Sequence, residues 1–233
     1  MKWQLTVLAL TLVAGSADAQ ALSCTIPSQI DRPRPDTPDT RTPRRILPTA
    51  SYTLAISWAA EYCHGNADNP SARFQCAAGN RFGFVLHGLW PDGAGKDWPQ
   101  YCQSVPLLSE ATIRANLCAT PSVQLLQHEW AKHGSCMNVS ADAYFKRSTG
   151  LFAALRFPDM TALAARRDVT VGSFAAAFAR ANPGMTPDMM RVTANKNGWL
   201  DEVWLCRDLQ FRAMRCAAGG LPATTKLKVA RPS

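Results

Sequence analysis

The sequence predicts an α+β domain: a central, mostly antiparallel β-sheet with several packed helices, stapled by disulfides. Three observations carry this. Short aromatic and β-branched runs mix with helical patterns but lack the regular beat of a βαβ fold. Eight cysteines, an even number, occur in a chain whose first residues have the form of an export signal. Setting that leader aside leaves about 214 of 233 residues, enough for one large core and no clear sign of two.

The leader comes first. Met1 and Lys2 form a short positive region, residues 5–13 an apolar run, and Ala17-Asp18-Ala19 a small-x-small cleavage site before Gln20. The run is roughly half the ~20 residues that a membrane-spanning helix needs. Residues 1–19 are therefore expected to be a signal peptide, and the mature chain to be free of the membrane and periplasmic or secreted. The compact, Ala-rich leader has a bacterial character, so Asn138-Val139-Ser140, which fits an N-glycosylation acceptor pattern, is read as bare.

Residues 20–50 are read as a Pro-rich extension. Its stretch DRPRPDTPDTRTPRR, residues 31–45, alternates prolines with charges and offers no apolar face, which predicts an extended, solvated linker. Residues 51–58 (SYTLAISW) and 81–87 (RFGFVLH) are rich in aromatic and branched side chains and are expected to be strands. Residues 106–116 and 121–136 are expected to be helices, the second with Ser122 as N-cap and Val123, Leu126 and Trp130 near helical spacing. Two more helices are expected over 141–155 and 172–181, the latter stopped by Asn182-Pro183-Gly184. Residues 199–206 and 209–214 are read as a late hairpin, and the tail after Gly219-Gly220 as loose. The working domain is thus placed at 51–218 and a flexible tail at 219–233.

The cysteines, Cys24, Cys63, Cys76, Cys102, Cys118, Cys136, Cys206 and Cys216, include no CxxC pair, which favours disulfides over zinc. Spacing leaves their connectivity open, although Cys63 with Cys76 and Cys206 with Cys216 are near enough to close local loops. The formal charge of +8 makes a polyanionic partner plausible.

The chemistry concentrates in FVLHGLWPD (residues 84–92) and HEWAKHGSC (residues 128–136), which hold three of the four histidines: His87, His128 and His133. Imidazole is the side chain best suited to take and give protons near neutrality. On a helix, His128, Glu129, Lys132 and His133 span about 140° of one side, a plausible catalytic face. The first stretch is read as a strand that ends at His87 and turns at Gly88, with Trp90 and Asp92 just beyond. A zinc-protease helix would need HExxH, with histidines four apart on one side; here they are five apart and Lys132 would put a positive charge beside the metal. No GxSxG or cysteine-nucleophile signature is present. His64, in a polar stretch, is read as a surface residue.

These two stretches resemble the active-site segments of the ribonuclease T(2) family: HGLWP without substitution and HEWxKHGxC in full, about forty residues apart. Weaker similarity runs from SYTLAISW and Cys63 to Trp204-Leu205-Cys206. The resemblance implies an α+β endoribonuclease of low base specificity that cuts single-stranded RNA to a 2′,3′-cyclic phosphate and then a 3′-phosphate, with no metal and no cofactor. It implies His133 as general base on the 2′-hydroxyl, His87 as the acid at the leaving 5′-oxygen, and His128 as the phosphate-binding histidine. Glu129 and Lys132 stabilise the phosphorane in this reading, and Trp90 and Asp92 belong to a base site, although Asp92 could equally cap a turn. DNA, lacking the 2′-hydroxyl, should not be cut. The same resemblance implies the bridges Cys102–Cys136, Cys63–Cys76 and Cys206–Cys216, leaving Cys24 with Cys118. A monomer is the default. The competing class is an inactive RNA-binding or protein-recognition relative on the same fold; loss of a main histidine would mark it, and both are kept.

Overall fold

The computed structural model describes residues 21–77 and 79–232. The expected signal peptide, residues 1–19, lies outside them. The fold is α+β.

In chain order the elements are β1 (Ala21–Ser23), β2 (Ser51–Trp58), α1 (Ala59–Asn66), α2 (Arg73–Cys76), β3 (Arg81–Phe82), β4 (Phe84–Asp92), α3 (Glu110–Asn116), α4 (Val123–Lys132), α5 (Ala141–Ala153), α6 (Met160–Ala165), α7 (Val171–Ala181), β5 (Met190–Ala194) and β6 (Leu200–Arg207). The central sheet has the order β4-β2-β6-β5 and is antiparallel throughout, while β1 and β3 form a separate pair.

Helix starts follow the hydroxyl caps. Ser109 accepts from the Thr112 amide at 3.0 Å and Ser122 from the Leu125 amide at 3.2 Å. An N-cap has extended backbone, so the prolines ahead of each serine fall outside the helix, and both helices are shorter than the 106–116 and 121–136 expected. α4 ends at Lys132, and Gly134–Cys136 follow as a separate 3₁₀ turn. Thr170 and Ser173 form a reciprocal capping box at the start of α7.

One face of the sheet makes the core. Leu54, Ile56 and Trp58 of β2, Leu86 and Leu89 of β4, and Val203 and Leu205 of β6 are essentially buried in one cluster with Leu126, Tyr144, Phe152, Phe174 and Phe178 from the helices. Each fully buried phenylalanine contributes roughly 1.5–3 kcal/mol.

The other face makes the site, and a bulge in β4 is what aligns it. Ala55 pairs with Gly88 and Ile56 with Leu86, so His87 is an extra residue opposite β2. His87 and Trp90 are three apart and would lie on opposite faces of a regular strand. The bulge shifts the alternation by one, so that His87, Trp90 and Asp92 share a face while Leu86 and Leu89 both stay in the core. The strand therefore does not end at His87 as expected. It runs through Gly88 to Asp92, and Pro91 is tolerated because β4 is an edge strand.

Three other expectations are corrected. Residues 209–214 are not a strand: Asp208 accepts from the amides of Gln210 and Arg212, Phe211 has φ 62°, and a single bridge joins Arg207 to Ala213. β6 instead pairs with β5, which sequence reading missed. The tail is not loose, since Leu227 and Val229 are buried, Lys226 and Lys228 bridge Thr170 and Trp199, and Ala230 accepts from the Trp58 indole at 3.0 Å. Residues 31–45 are irregular but are not a free linker. Pro33 is buried, Arg34 exchanges two hydrogen bonds with Gln124 of α4, and Arg45 pairs with Gln100.

Four disulfides join Cys24–Cys118, Cys63–Cys76, Cys102–Cys136 and Cys206–Cys216. Cys102–Cys136 ties the loop after β4 to the turn after α4. Among the described residues no helix is long and apolar enough to cross a membrane.

Candidate active site

The two histidine-bearing segments meet where α4 packs against the edge strand β4. His87 comes from the bulge. His128, Glu129 and Lys132 come from the last turn of α4, and His133 from the residue that caps it. The Tyr101 amide donates to the Lys132 carbonyl at 2.8 Å, and the neighbouring disulfide holds that loop in place.

Glu129 is the hub. It is almost fully buried, one oxygen accepts from the Trp90 indole at 2.8 Å, and the other lies 3.5 Å from His87 Nε2. The carboxylate sits over Gly88, where a Cβ would overlap Glu129 Oε2 and stand 2.8 Å from Trp90 Nε1. Only glycine leaves room. Trp90 packs edge-on to His87 (ring centroids 5.1 Å) and stacks on His133 (5.5 Å, 29° between planes). The indole thus spaces the two histidines as well as holding the carboxylate.

A second carboxylate, which sequence reading missed, completes His87. Glu202 of β6 bonds to His87 Nδ1 and accepts from Ser57 at 2.9 Å and from the Trp204 indole at 2.7 Å. Ser57 and Glu202 are cross-strand partners. No local motif marks Glu202; only the β2–β6 register delivers it.

The environments of His87 and His133 differ in sign. Burial by itself would lower His87, but the hydrogen bond that His87 donates to Glu202 and the charges of Glu129 and Glu202 outweigh it, so His87 is held above the usual histidine value. His133 is buried, its Nδ1 has no hydrogen-bond partner, and burial followed by the positive charges of Lys132, His128 and His87 pushes it well below that value. One ring is biased toward the cation and the other toward the neutral form, which is the division an acid and a base require. Burial also raises Glu129, against the pull of His87, His128, Trp90 and Lys132.

His128 lies at the solvent side, its ring 6.3 Å from His133, and its Nδ1 bonds to Asp36 at 2.9 Å. Asp92, at the end of β4, accepts from Thr53 at 2.8 Å, and burial raises it. His64 is exposed on α1. His128, Glu129 and His133 each bring a donor atom within 4.8 Å of the others, so they are the residues able to hold a cation among those described. One Glu129 oxygen is already engaged by Trp90, and the charge of Lys132 opposes a cation there.

The chain is similar to a probable ribonuclease of Haemophilus influenzae, 32% identical over 180 residues covering 72% of this chain and 61% of the relative. It is similar to a ribonuclease of Aeromonas hydrophila at 36% identity over 100 residues, 43% of each chain. The match thus spans less than two thirds of either relative's length. Its fold is that of RNase NT, solved in complex with 5′-AMP (TM-score 0.60, 22% identity, covering 80% of this chain and all of that one). Residues 49–216 match the description of the ribonuclease T2 family, and the chain belongs to that family.

Proposed function

We propose that this chain is a periplasmic or secreted endoribonuclease that cleaves single-stranded RNA with low base specificity and without a metal. The observation that carries this reading is the pair of opposed histidines, His87 biased toward the cation and His133 toward the neutral ring, held on either side of Trp90. Neutral His133 takes the proton of the 2′-hydroxyl, and the 2′-oxygen attacks phosphorus. Protonated His87 gives its proton to the departing 5′-oxygen, leaving a 2′,3′-cyclic phosphate. Water then opens the ring with the roles reversed, His87 as base and His133 as acid, giving a 3′-phosphate. His128 and Lys132 meet the phosphate, and Glu129 orients His87 and Trp90 while the phosphorane forms. Trp90 and Asp92, both on the site face of β4, form one wall of a base site. The family, and the nucleotide bound by RNase NT, support a nucleotide substrate.

The test is incubation of the full mature chain with single-stranded RNA and matched DNA in excess chelator. RNA cut to cyclic-phosphate ends with DNA intact is expected. Chelator-sensitive cleavage, or intact RNA with folded and oxidised protein, would overturn the proposal.

A further inference from the structure

The Pro-rich segment ahead of the family-matched region reaches the site. The match begins at residue 49, yet Asp36 places Oδ2 2.9 Å from His128 Nδ1 and accepts on Oδ1 from the Tyr101 hydroxyl at 2.6 Å. Two residues earlier, the Arg34 amide donates to Gln124 Oε1 at 2.9 Å and the Arg34 carbonyl accepts from Gln124 Nε2 at 3.2 Å. Gln124 lies one helical turn before His128 on α4, so the segment is clipped to the same helix face on both sides of Pro35. Further on, the Arg44 guanidinium donates to the Cys102 carbonyl at 2.7 Å, and Arg45 pairs through its backbone with Gln100. Tyr101 is itself buried, holds φ at 49°, a region that non-glycine residues rarely adopt, and donates its amide to Lys132. Prolines at 33 and 35 limit the freedom that the segment loses on docking.

We propose that Asp36 is a positioning residue: it fixes the ring of His128 by accepting from Nδ1–H, so that Nε2 is the nitrogen left to meet the substrate phosphate, which it does as an N–H donor when the ring carries both protons. This rests on the reading of His128 as phosphate-binding. Without Asp36 the ring can turn about its side-chain torsions, and Nε2–H is aimed away from the phosphate part of the time. An acidic strap lying across the site as an inhibitor is the alternative, and it predicts the opposite sign.

The experiment uses the full mature chain, wild type against Asp36→Ala and Asp36→Asn. It reads three quantities: the ¹⁵N signals of the His128 ring without substrate, kcat and KM on a dinucleoside phosphate, and inhibition by inorganic phosphate. In wild type the neutral, substrate-free ring should carry its proton on Nδ1. In Asp36→Ala that proton should spread to Nε2, while KM and the inhibition constant for phosphate rise on the order of tenfold and kcat changes far less. Asp36→Asn keeps the shape and an accepting oxygen, should retain the tautomer, and should lie between the two; it decides the matter if the alanine variant does not fold. Unchanged ring signals in Asp36→Ala, an unchanged KM in Asp36→Asn, or faster cleavage by either, would overturn the inference. A wild type that leaves the dinucleoside phosphate intact overturns the enzymatic reading instead, and the substrate-free ring signals still decide whether Asp36 holds His128.

Discussion

The carboxylate of Glu129 occupies the space that any side chain at Gly88 would need, with the Trp90 indole bonded to it alongside. We predict that Gly88→Ala displaces Glu129 and breaks that bond. Misplacement of the hub should cost on the order of 100-fold in kcat/KM, and the stranded indole N–H about 1–3 kcal/mol of stability. Wild-type activity in Gly88→Ala would show that the carboxylate position is unimportant.

Glu129 should also trade stability for activity. Its folded pKa is raised, first by burial, so its charged form is disfavoured in the native state. The penalty is absent below the unfolded carboxylate value and grows as pH rises through the folded one. Glu129→Gln is therefore predicted to be more stable than wild type at about pH 7, with the gain fading toward about pH 4, while activity falls on the order of 100-fold. Urea midpoints at the two pH values check the sign; destabilisation at neutral pH contradicts it.

Glu202→Gln is predicted to move the alkaline limb of the kcat/KM profile to lower pH. Burial and Lys132 lower His87, whereas Glu202 and Glu129 raise it and prevail, and Asp201 also faces His87 electrostatically. With His87 proposed as the acid, the alkaline limb follows its protonated form, so removing the charge of Glu202 is expected to bring it down. The acid limb, which requires neutral His133, should stay. An alkaline limb that does not move would remove Glu202 from the account.

Much of this site was legible in the sequence because its parts are local. His128, Glu129 and Lys132 lie at the end of one helix with His133 capping it, and His87, Trp90 and Asp92 share one strand. The carboxylates behind His87 and His128 were not legible. Glu202 arrives through strand register and Asp36 through an irregular segment, and neither leaves a mark near the histidine it serves. β4 was cut short in sequence reading because Gly88 and Pro91 look like a turn, yet the glycine makes room for Glu129 and the proline sits on an edge. β5, five residues bounded by a 3₁₀ turn, carries too short a pattern to stand out. The docked tail did leave a signal: Lys226-Leu227-Lys228-Val229 alternates polar and apolar residues as a half-buried extended segment does.

That tail yields a stability prediction. Leu227 and Val229 pack into the main core. Leu227→Ala is expected to cost about 2–5 kcal/mol, and truncation after Gly220 to lower the denaturation midpoint further. A truncated chain with an unchanged midpoint would restore the picture of a loose tail.

The central claim, that His87 is the acid and His133 the base, is tested most directly with an RNA dinucleotide whose departing 5′-oxygen is replaced by sulfur. A thiolate leaves without being protonated, so an acid is no longer needed while the 2′-hydroxyl must still be deprotonated. On this substrate His87→Ala is predicted to regain most of the activity that it loses on the oxygen substrate, and His133→Ala to regain none. Rescue of His133→Ala with no rescue of His87→Ala would contradict the assignment.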